Sequence, residues 1–226
     1  MMGGMLYVVA TPIGNLEDIT LRALRVLKEV DVIFCEDTRV TGKLLNHHGF
    51  RKPVYRCDEK MERRAADRAI ELLGEGKNIA LVSDAGTPGI SDPGARLVSL
   101  VREAGYEVIA IPGPSALTAA LSIAGNYQGP SFIFLGFLPH KKGRQTALKG
   151  IALEKRPVVL YESPHRIEKL MNELSEFAPE KKAMLFRELT KIHEQVLSGT
   201  PAELWARLET DSSARGEFVV MVSNNT

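Results

Sequence analysis

The sequence predicts an α/β protein built from two lobes. In its first half, four short apolar runs alternate with segments whose apolar residues recur at helical spacing. This strand–helix alternation is typical of a largely parallel sheet covered by helices. A turn-rich stretch at 125–130 interrupts the pattern before a second set of apolar runs begins. We therefore expect one α/β lobe over residues 1–120 and a second over residues 121–226.

The elements of the first lobe follow in a regular order. Leu21, Leu24 and Leu27 recur on one helical face and indicate the first helix. A run of small residues before Ile123 predicts a buried helix at the end of the lobe. The predicted strands are 6–10, 32–35, 79–82 and 107–111, and the predicted helices are 21–30, 40–47, 62–73, 95–104 and 115–123.

The second lobe carries two local signals for helix starts. Ser163 and Pro164 predict a capped start with proline in the first turn, ahead of a helix over 166–177. Thr200 and Glu203 have the spacing of a capping box, in which the two residues exchange hydrogen bonds. The predicted strands of this lobe are 132–135, 158–161, 184–186 and 218–222.

Composition excludes several classes of protein. The chain has 29 Lys and Arg against 28 Asp and Glu, so a nucleic acid would have to bind a local basic patch. The two cysteines, Cys35 and Cys57, are too few and too far apart for a disulfide scaffold or a cysteine zinc site. We expect no metal, no membrane span and no signal peptide, and hence a cytoplasmic protein.

Glycine, proline and hydroxyl residues are concentrated where the predicted strands end. Ligands of open α/β sheets bind at the carboxyl ends of strands, and glycine lets the backbone approach them closely. Four consecutive strand ends of this composition favour one shared pocket. None carries the signature of a dinucleotide site or a P-loop. These segments are 11–15, 36–39, 83–94 and 112–116 in the first lobe, and 161–166 and 187–191 in the second.

Together these loops resemble the tetrapyrrole methylase superfamily of S-adenosylmethionine-dependent methyltransferases, and within it the branch that methylates ribosomal RNA. The motifs run in order along the whole chain. They are ATPIGNLEDIT (10–20), CEDTR (35–39), LVSDAGTPGISDPG (81–94), IPGPSA (111–116), FLPHKKGR (137–144), YESPHR (161–166), RELTKIHE (187–194) and GEFVVMV (216–222). The sequence at Tyr55–Glu59 departs from a His-rich run common in that branch.

The resemblance implies the two-lobed class III methyltransferase fold, with S-adenosyl-L-methionine in the cleft between the lobes, and a homodimer. It also implies 2′-O-methylation of a cytidine ribose in small-subunit rRNA, either free or in the 30S subunit. The residues it assigns to the cofactor are Pro12, Ile13, Asp84, Gly86, Thr87, Ile90, Ser115, Ala116, Tyr161, Glu162 and Leu189.

Methyl transfer to a ribose hydroxyl gains from a general base or from a lysine that stabilises the alkoxide. The sequence leaves the choice of that residue open. The candidates are Glu36, Asp37, Glu162, Glu188 and Lys191, and the expected RNA contacts are Arg39, Lys141, Lys142, Arg144 and Arg166. For the basic segment 139–149 two interpretations remain open: an arm that contacts phosphates of the RNA, or a solvated loop. Methylation of a tetrapyrrole or a protein, and cofactor or RNA binding without catalysis, are the alternative functions.

Overall fold

The chain forms two compact units in a computed structural model that describes residues 3–125, 131–210 and 215–224. The first unit is Met1–Ser115 and the second is Ala116–Thr226. The boundary expected after residue 120 falls inside a helix, Ala116–Ile123, that packs on a strand of the second unit. The turn-rich residues 126–130 lie outside the described part of the chain.

The first unit is a five-stranded parallel sheet with helices around it. Its strands run in the order β3-β2-β4-β1-β5, and every pair of neighbours is parallel. The strands are β1 (Leu6–Val9), β2 (Val32–Cys35), β3 (Val54–Arg56), β4 (Ile79–Val82) and β5 (Val108–Ile111). The helices are α1 (Leu21–Glu29), α2 (Thr38–His47), α3 (Glu62–Gly74) and α4 (Ala95–Glu103).

Burial on both faces explains why this sheet is parallel. All four residues of β2 and all four of β4 are buried, as expected for strands covered by helices on both sides. Two separate apolar clusters cover the sheet, one containing Phe34 and Leu72 and the other containing Ile33 and Leu27. Because all five strands point the same way, the loops that follow them meet at one edge.

The second unit contains a mixed sheet in the order β6-β7-β10-β8-β9. Only β6 and β7 are parallel, and the other neighbours are antiparallel. The strands are β6 (Ile133–Phe137), β7 (Val158–Glu162), β8 (Lys182–Arg187), β9 (Gln195–Gly199) and β10 (Phe218–Ser223). The helices are α5 (Ala116–Ile123), α6 (Arg144–Leu153), α7 (Ile167–Phe177) and α8 (Pro201–Thr210).

The register of this sheet aligns the ends of two strands that are far apart in sequence. Phe218 of β10 pairs with Glu162 on one side and with Arg187 on the other. Strands β7 and β8 therefore end at the same edge, which brings the loops after Glu162 and Arg187 near each other. The core on which this sheet rests includes Leu160, Leu185 and residues of α6, α7 and α8.

The local helix signals had different outcomes. The capping box is confirmed, because Thr200 N–H donates to Glu203 Oε2 at 2.8 Å and Glu203 N–H donates to Thr200 Oγ1 at 3.3 Å. The helix start at Ser163 and Pro164 is wrong. Helix α7 begins three residues after the proline, at Ile167, without a side-chain cap. The longest described helix, α3, has 13 residues, and no described helix is long and apolar enough to cross a bilayer.

A carboxylate from α3 fixes the end of the long loop that follows β4. Helix α4 begins after Gly94 and has no cap from its own loop. Instead, Glu62 Oε1 accepts hydrogen bonds from Gly94 N–H at 2.7 Å and from Arg96 N–H at 2.9 Å. A negative charge beside unpaired N–H groups at a helix start is favourable.

Replacing Glu62 with alanine should lower the free energy of unfolding by about 1–2 kcal/mol, because α4 then loses its only described cap. Urea denaturation measures the change. Glu71→Ala on the same helix is the control, since it removes only an exposed ion pair with Arg68 and should cost less than about 0.5 kcal/mol. Equal losses in the two variants would contradict the capping role.

Candidate active site

Two loops of the first unit are joined by buried hydrogen bonds at the carboxyl edge of its sheet. Thr11, after β1, and Gly86, after β4, exchange backbone hydrogen bonds of 2.9 and 3.0 Å. The Thr11 hydroxyl donates to Ser83 O at 3.1 Å, and the Ser83 hydroxyl donates to Gly86 O at 3.1 Å. Both hydroxyl residues are buried. The segments containing Ile13 and Asp84 are therefore fixed relative to each other.

The loop after β5 joins the same assembly. Gly86 has a φ of +83°, and a Cβ there would lie 3.3 Å from Ile13 Cγ2 and 3.8 Å from Pro114 O. The Thr87 hydroxyl donates to Pro114 O at 3.2 Å. Three strand ends thus meet around one glycine, and we call residues 11–13, 83–87 and 112–115 the first loop cluster. The shared pocket expected at these strand ends remains a prediction.

Three acidic residues, Asp84 of this cluster and its neighbours Glu36 and Asp37, have different surroundings. Asp37 N–H donates to Asp84 Oδ1 at 3.0 Å, which brings the loop after β2 to the cluster. The Asp37 carboxylate accepts from Arg39 N–H at 2.8 Å and forms an ion pair with the Arg39 guanidinium. Glu36 is half-buried, and no hydrogen bond or ion pair to its carboxylate occurs within the described residues.

These surroundings shift the three acids in opposite directions. Hydrogen bonds from Arg39 hold the pKa of Asp37 well below its usual value. Burial raises the pKa of Asp84, although the hydrogen bond from Asp37 N–H opposes the shift. Burial, reinforced by the negative charges of Asp84 and Asp92, raises the pKa of Glu36. Glu36 and Asp84 are therefore carboxylates suited to accept a proton or to meet a cation.

Tyr161 is held at the end of β7 in the second unit. Its hydroxyl accepts a hydrogen bond from Leu117 N–H, in the first turn of α5, at 3.1 Å. Its ring packs edge-on against Phe134 and Phe137, with centroids 5.0 and 5.7 Å away. Contacts at the ring and at the hydroxyl fix its orientation.

Glu162, the next residue, is a buried acid. One of its carboxylate oxygens has partners, and the other has none among the described residues. Its Oε1 accepts from Ser163 N–H at 2.9 Å and lies 3.1 Å from Arg166 Nε. Its Oε2 is buried and has no hydrogen-bond partner within the described residues. Burial raises the pKa of Glu162, against the opposing effects of the Ser163 hydrogen bond and the Arg166 charge.

A charged triad follows β8 at the same edge of the sheet. Lys191 Nζ lies 2.8 Å from Glu188 Oε1 and 2.8 Å from Glu217 Oε2. Burial opposes a charge on Lys191, but the two carboxylates outweigh it and raise the pKa of Lys191. Burial likewise opposes ionisation of Glu188, but the hydrogen bonds from Lys191 and from Glu217 N–H, together with the charges of Lys191 and Arg187, lower the pKa of Glu188. Lys191 therefore holds its proton and its positive charge, and its role as the lysine that stabilises an alkoxide remains a prediction.

Comparison with known proteins identifies the family. The model of the family described as Tetrapyrrole (Corrin/Porphyrin) Methylases matches residues 5–204. The chain belongs to the tetrapyrrole methylase family. This methylase is 47% identical over 223 residues to the Ribosomal RNA small subunit methyltransferase I of Neisseria meningitidis serogroup B, covering 98% of this chain and 76% of that protein. It is 43% identical over 220 residues to the protein of that name from Thermotoga maritima, covering 97% and 98%.

Solved structures agree on the fold of the methylase. The methyltransferase CobJ superposes with a TM-score of 0.73 at 22% identity, covering 98% of this chain and 94% of that one. A uroporphyrin-III C-methyltransferase from Thermus thermophilus, complexed with S-adenosylhomocysteine, superposes with a TM-score of 0.68 at 18% identity, covering 97% of each chain. The fold class predicted from the loop motifs is confirmed.

The structure divides the residues that the motifs assigned to a cofactor between the two units. Pro12, Ile13, Asp84, Gly86 and Thr87 are brought together in the first loop cluster, where Ser115 is the last residue. Ile90, farther along the loop after β4, is half-exposed. Ala116, Tyr161, Glu162 and Leu189 belong to the second unit, where Leu189 is buried. The cofactor contacts of these residues remain predictions.

Two of the three arginines expected to contact RNA are bound by other groups of the second unit. Arg144 is only 3% exposed and lies 2.6 Å from Glu173 Oε2, so its guanidinium is not available to a phosphate. Arg166 is bound to Glu162 and to the carbonyl of Leu138. The expectation for Arg144 is corrected, because Glu173, 29 residues away, takes its charge. Arg166 is half-buried, and its RNA contact remains a prediction. Arg39, Lys141 and Lys142 are exposed, and their RNA contacts remain predictions.

Sequence reasoning missed the residues that hold these loops in place. Thr11 was read only as part of a turn motif, and Glu62 only as part of a charged helix. Gly216 and Glu217 were noted only within a motif, yet both contact Glu188. No local signal marks such long-range partners. Among the described residues, no group of three or more His, Cys, Asp and Glu side chains is arranged to hold a metal.

Replacing Gly86 with alanine should destabilise the methylase more than replacing Gly105. Both glycines have left-handed backbones, with φ of +83° and +85°, so each variant should lose about 1–2 kcal/mol. A Cβ at Gly105 meets nothing within 4 Å, whereas at Gly86 it crowds Ile13. We expect about 1 kcal/mol more loss at Gly86, measured by urea denaturation. Equal losses would mean that the loops around Gly86 separate easily.

Proposed function

We propose that this chain transfers a methyl group from S-adenosyl-L-methionine to the 2′-hydroxyl of a cytidine ribose in small-subunit ribosomal RNA. The observation that carries the proposal is the similarity, at 43–47% identity over nearly the whole chain, to proteins named Ribosomal RNA small subunit methyltransferase I. The loop motifs that resemble the rRNA-methylating branch support the same activity.

The first loop cluster fits the donor chemically. S-adenosyl-L-methionine supplies a methyl group bound to a positively charged sulfonium, and it also carries an amino acid and a ribose. The hydrogen bonds around Gly86 hold Asp84 and Thr87 at the carboxyl edge of the sheet, where ligands of such sheets bind. The Asp84 carboxylate pairs with no cation within the described residues, so it can meet a positive charge or accept from a hydroxyl.

We propose Glu36 as the general base that removes the proton from the ribose hydroxyl. Asp37 is held ionised by Arg39, and Glu188 by Lys191, so both are weak bases. The Glu162 side chain is fully buried and bound to Arg166. Glu36 is partly exposed and has a raised pKa. No described residue forms a hydrogen bond or an ion pair with its carboxylate. A base works best when its pKa lies closer to the operating pH.

Lys191 suits a different role in the same reaction. It keeps its proton between two carboxylates, so it supplies a fixed positive charge that can stabilise a developing alkoxide. Much of the remaining catalysis is expected to come from holding the hydroxyl in line with the methyl group.

The homodimer and the cytoplasmic location remain predictions, and sedimentation of the purified protein tests the first.

The deciding experiment is methyl transfer from labelled S-adenosyl-L-methionine to unmodified 30S subunits, with naked small-subunit rRNA alongside. We expect label at a single nucleotide, in a linkage that resists alkaline cleavage, because a 2′-O-methyl group blocks attack by that oxygen. Label transferred to a tetrapyrrole or to a protein instead would show that RNA is not the methyl acceptor. Donor binding without transfer to any of these acceptors would contradict an enzymatic role.

Replacing Glu36 with glutamine should lower kcat by about a hundredfold or more while leaving donor affinity unchanged. In the wild type, the rate should fall as pH drops through the raised pKa of Glu36, and this limb should be absent in the variant. Single-turnover rates and calorimetry of donor binding measure the two effects. Glu103→Gln, at an exposed glutamate bonded to Ser99, is the control.

The same variant should be more stable than the wild type at pH 7. A raised pKa means that the folded chain disfavours the ionised carboxylate, so Glu36 reduces stability once pH rises above its usual range. Near about pH 3, well below the usual pKa of a glutamate, the carboxyl is protonated in both states and the two proteins should unfold alike. A lower stability of the variant at pH 7, with lost activity, would instead indicate a structural role for Glu36.

A further inference from the structure

Two arginines donate to consecutive backbone carbonyls of the loop between β6 and α6, Leu138–Gly143. Arg166 Nη2 lies 2.5 Å from Leu138 O, and Arg144 Nη1 lies 3.2 Å from Pro139 O. The two arginines belong to different parts of the chain: Arg144 begins α6, and Arg166 precedes α7. The backbone of this loop is therefore fixed from two directions.

Each arginine is itself held by a carboxylate from another element. Arg144 Nε and Nη2 lie 2.7 and 2.6 Å from Glu173 Oε2, on α7. Arg166 Nε lies 3.1 Å from Glu162 Oε1, at the end of β7. Each guanidinium thus joins a carboxylate to a loop carbonyl. Its planar array of donors allows this geometry, which a lysine ammonium on a flexible stem does not reproduce.

Further contacts complete the order of the loop. Arg144 N–H donates to Lys141 O at 3.2 Å, and Gly143 takes a left-handed φ of +87° that turns the chain into α6. Arg166 Nη1 lies 3.3 Å from His140 Nε2. The loop then presents Lys141 and Lys142 to solvent, and neither has an ion pair within the described residues.

We propose that Arg144 and Arg166 are positioning residues that order this loop before RNA binds, and that Lys141 and Lys142 make the phosphate contacts. The inference rests on the proposed function, because it takes small-subunit rRNA as the ligand. A loop already ordered in the free protein loses less conformational entropy when it binds. Arg144, the buried positive charge of the basic segment, and Arg166 then act on the backbone that carries the lysines.

The salt dependence of RNA binding distinguishes positioning from direct contact. Each phosphate contact adds about 0.7–0.9 to the slope of log affinity against log salt concentration. Replacing both lysines with alanine should reduce the slope by about one to two. Arg144→Met and Arg166→Met should each weaken binding by roughly threefold to tenfold and leave the slope unchanged, because neither arginine contacts phosphate.

Hydrogen exchange on the RNA-free protein gives a second and independent readout. The backbone amides at positions 144 and 147, which donate to Lys141 O and Gly143 O, should exchange faster in Arg144→Met and Arg166→Met than in the wild type, because the loop that carries their acceptors loses a hydrogen bond. If Arg144→Met unfolds because Glu173 loses its arginine partner, Arg144→Met with Glu173→Met removes both partners of that ion pair. Arg156→Met, which breaks an exposed pair with Glu154 in the same unit, should change neither exchange in the loop nor RNA affinity.

The experiment measures binding to naked small-subunit rRNA and to 30S subunits over a range of salt, together with exchange. A slope reduced by about one in either arginine variant would show direct phosphate contact and overturn the proposal, as would unchanged exchange in both. A wild-type protein that binds neither RNA form overturns both proposals. RNA binding without methyl transfer overturns only the proposed function. Lower affinity at an unchanged slope, with faster exchange, supports the positioning role.

Discussion

Buried backbone N–H and C=O groups have to be paired, and in the first unit this requirement joins loops that follow different strands. Strands β1 and β4 are parallel neighbours, so their ladder stops where the strands end. Thr11 and Gly86 pair with each other beyond that point, and the Thr11 and Ser83 hydroxyls satisfy the carbonyls left over. The position of Asp84, and through it that of Asp37, depends on this small polar core.

The carboxylates near the strand ends show how one chemical group acquires different roles. Asp37, beside Arg39, serves as a helix cap and stays ionised. Glu188 holds a lysine, and Glu162 holds an arginine deep in the second unit. Glu36 lacks such a cation among its described neighbours, and burial and the nearby acids disfavour its charge. Stability and reactivity are divided among these acids by their partners rather than by their residue type.

Sequence patterns predicted what local physics determines. Strands β2 and β4 were predicted with their observed bounds. A short apolar run that alternates with helical segments predicts a fully buried strand. Strands β3 and β9 were missed, since each is a short edge strand with exposed residues that break the apolar pattern. The capping box at Thr200 lies within four residues and was predicted correctly. Arg144 was not, because its partner Glu173 is 29 residues away and any exposed-looking arginine has the same sequence signal.

The contact between Gly216 and Glu188 limits the order in which this chain can change. A Cβ at Gly216 would lie 2.5 Å from Glu188 Cγ, and Glu188 itself adopts a left-handed φ of 51°. A side chain at 216 therefore requires the Glu188 side chain to move or to be lost, and it also strains the backbone, because Gly216 has a φ of +101°. Losing the Glu188 side chain would leave Lys191 paired with Glu217 alone. The effect of a substitution at either position thus depends on the residue at the other, and the two positions form an epistatic pair.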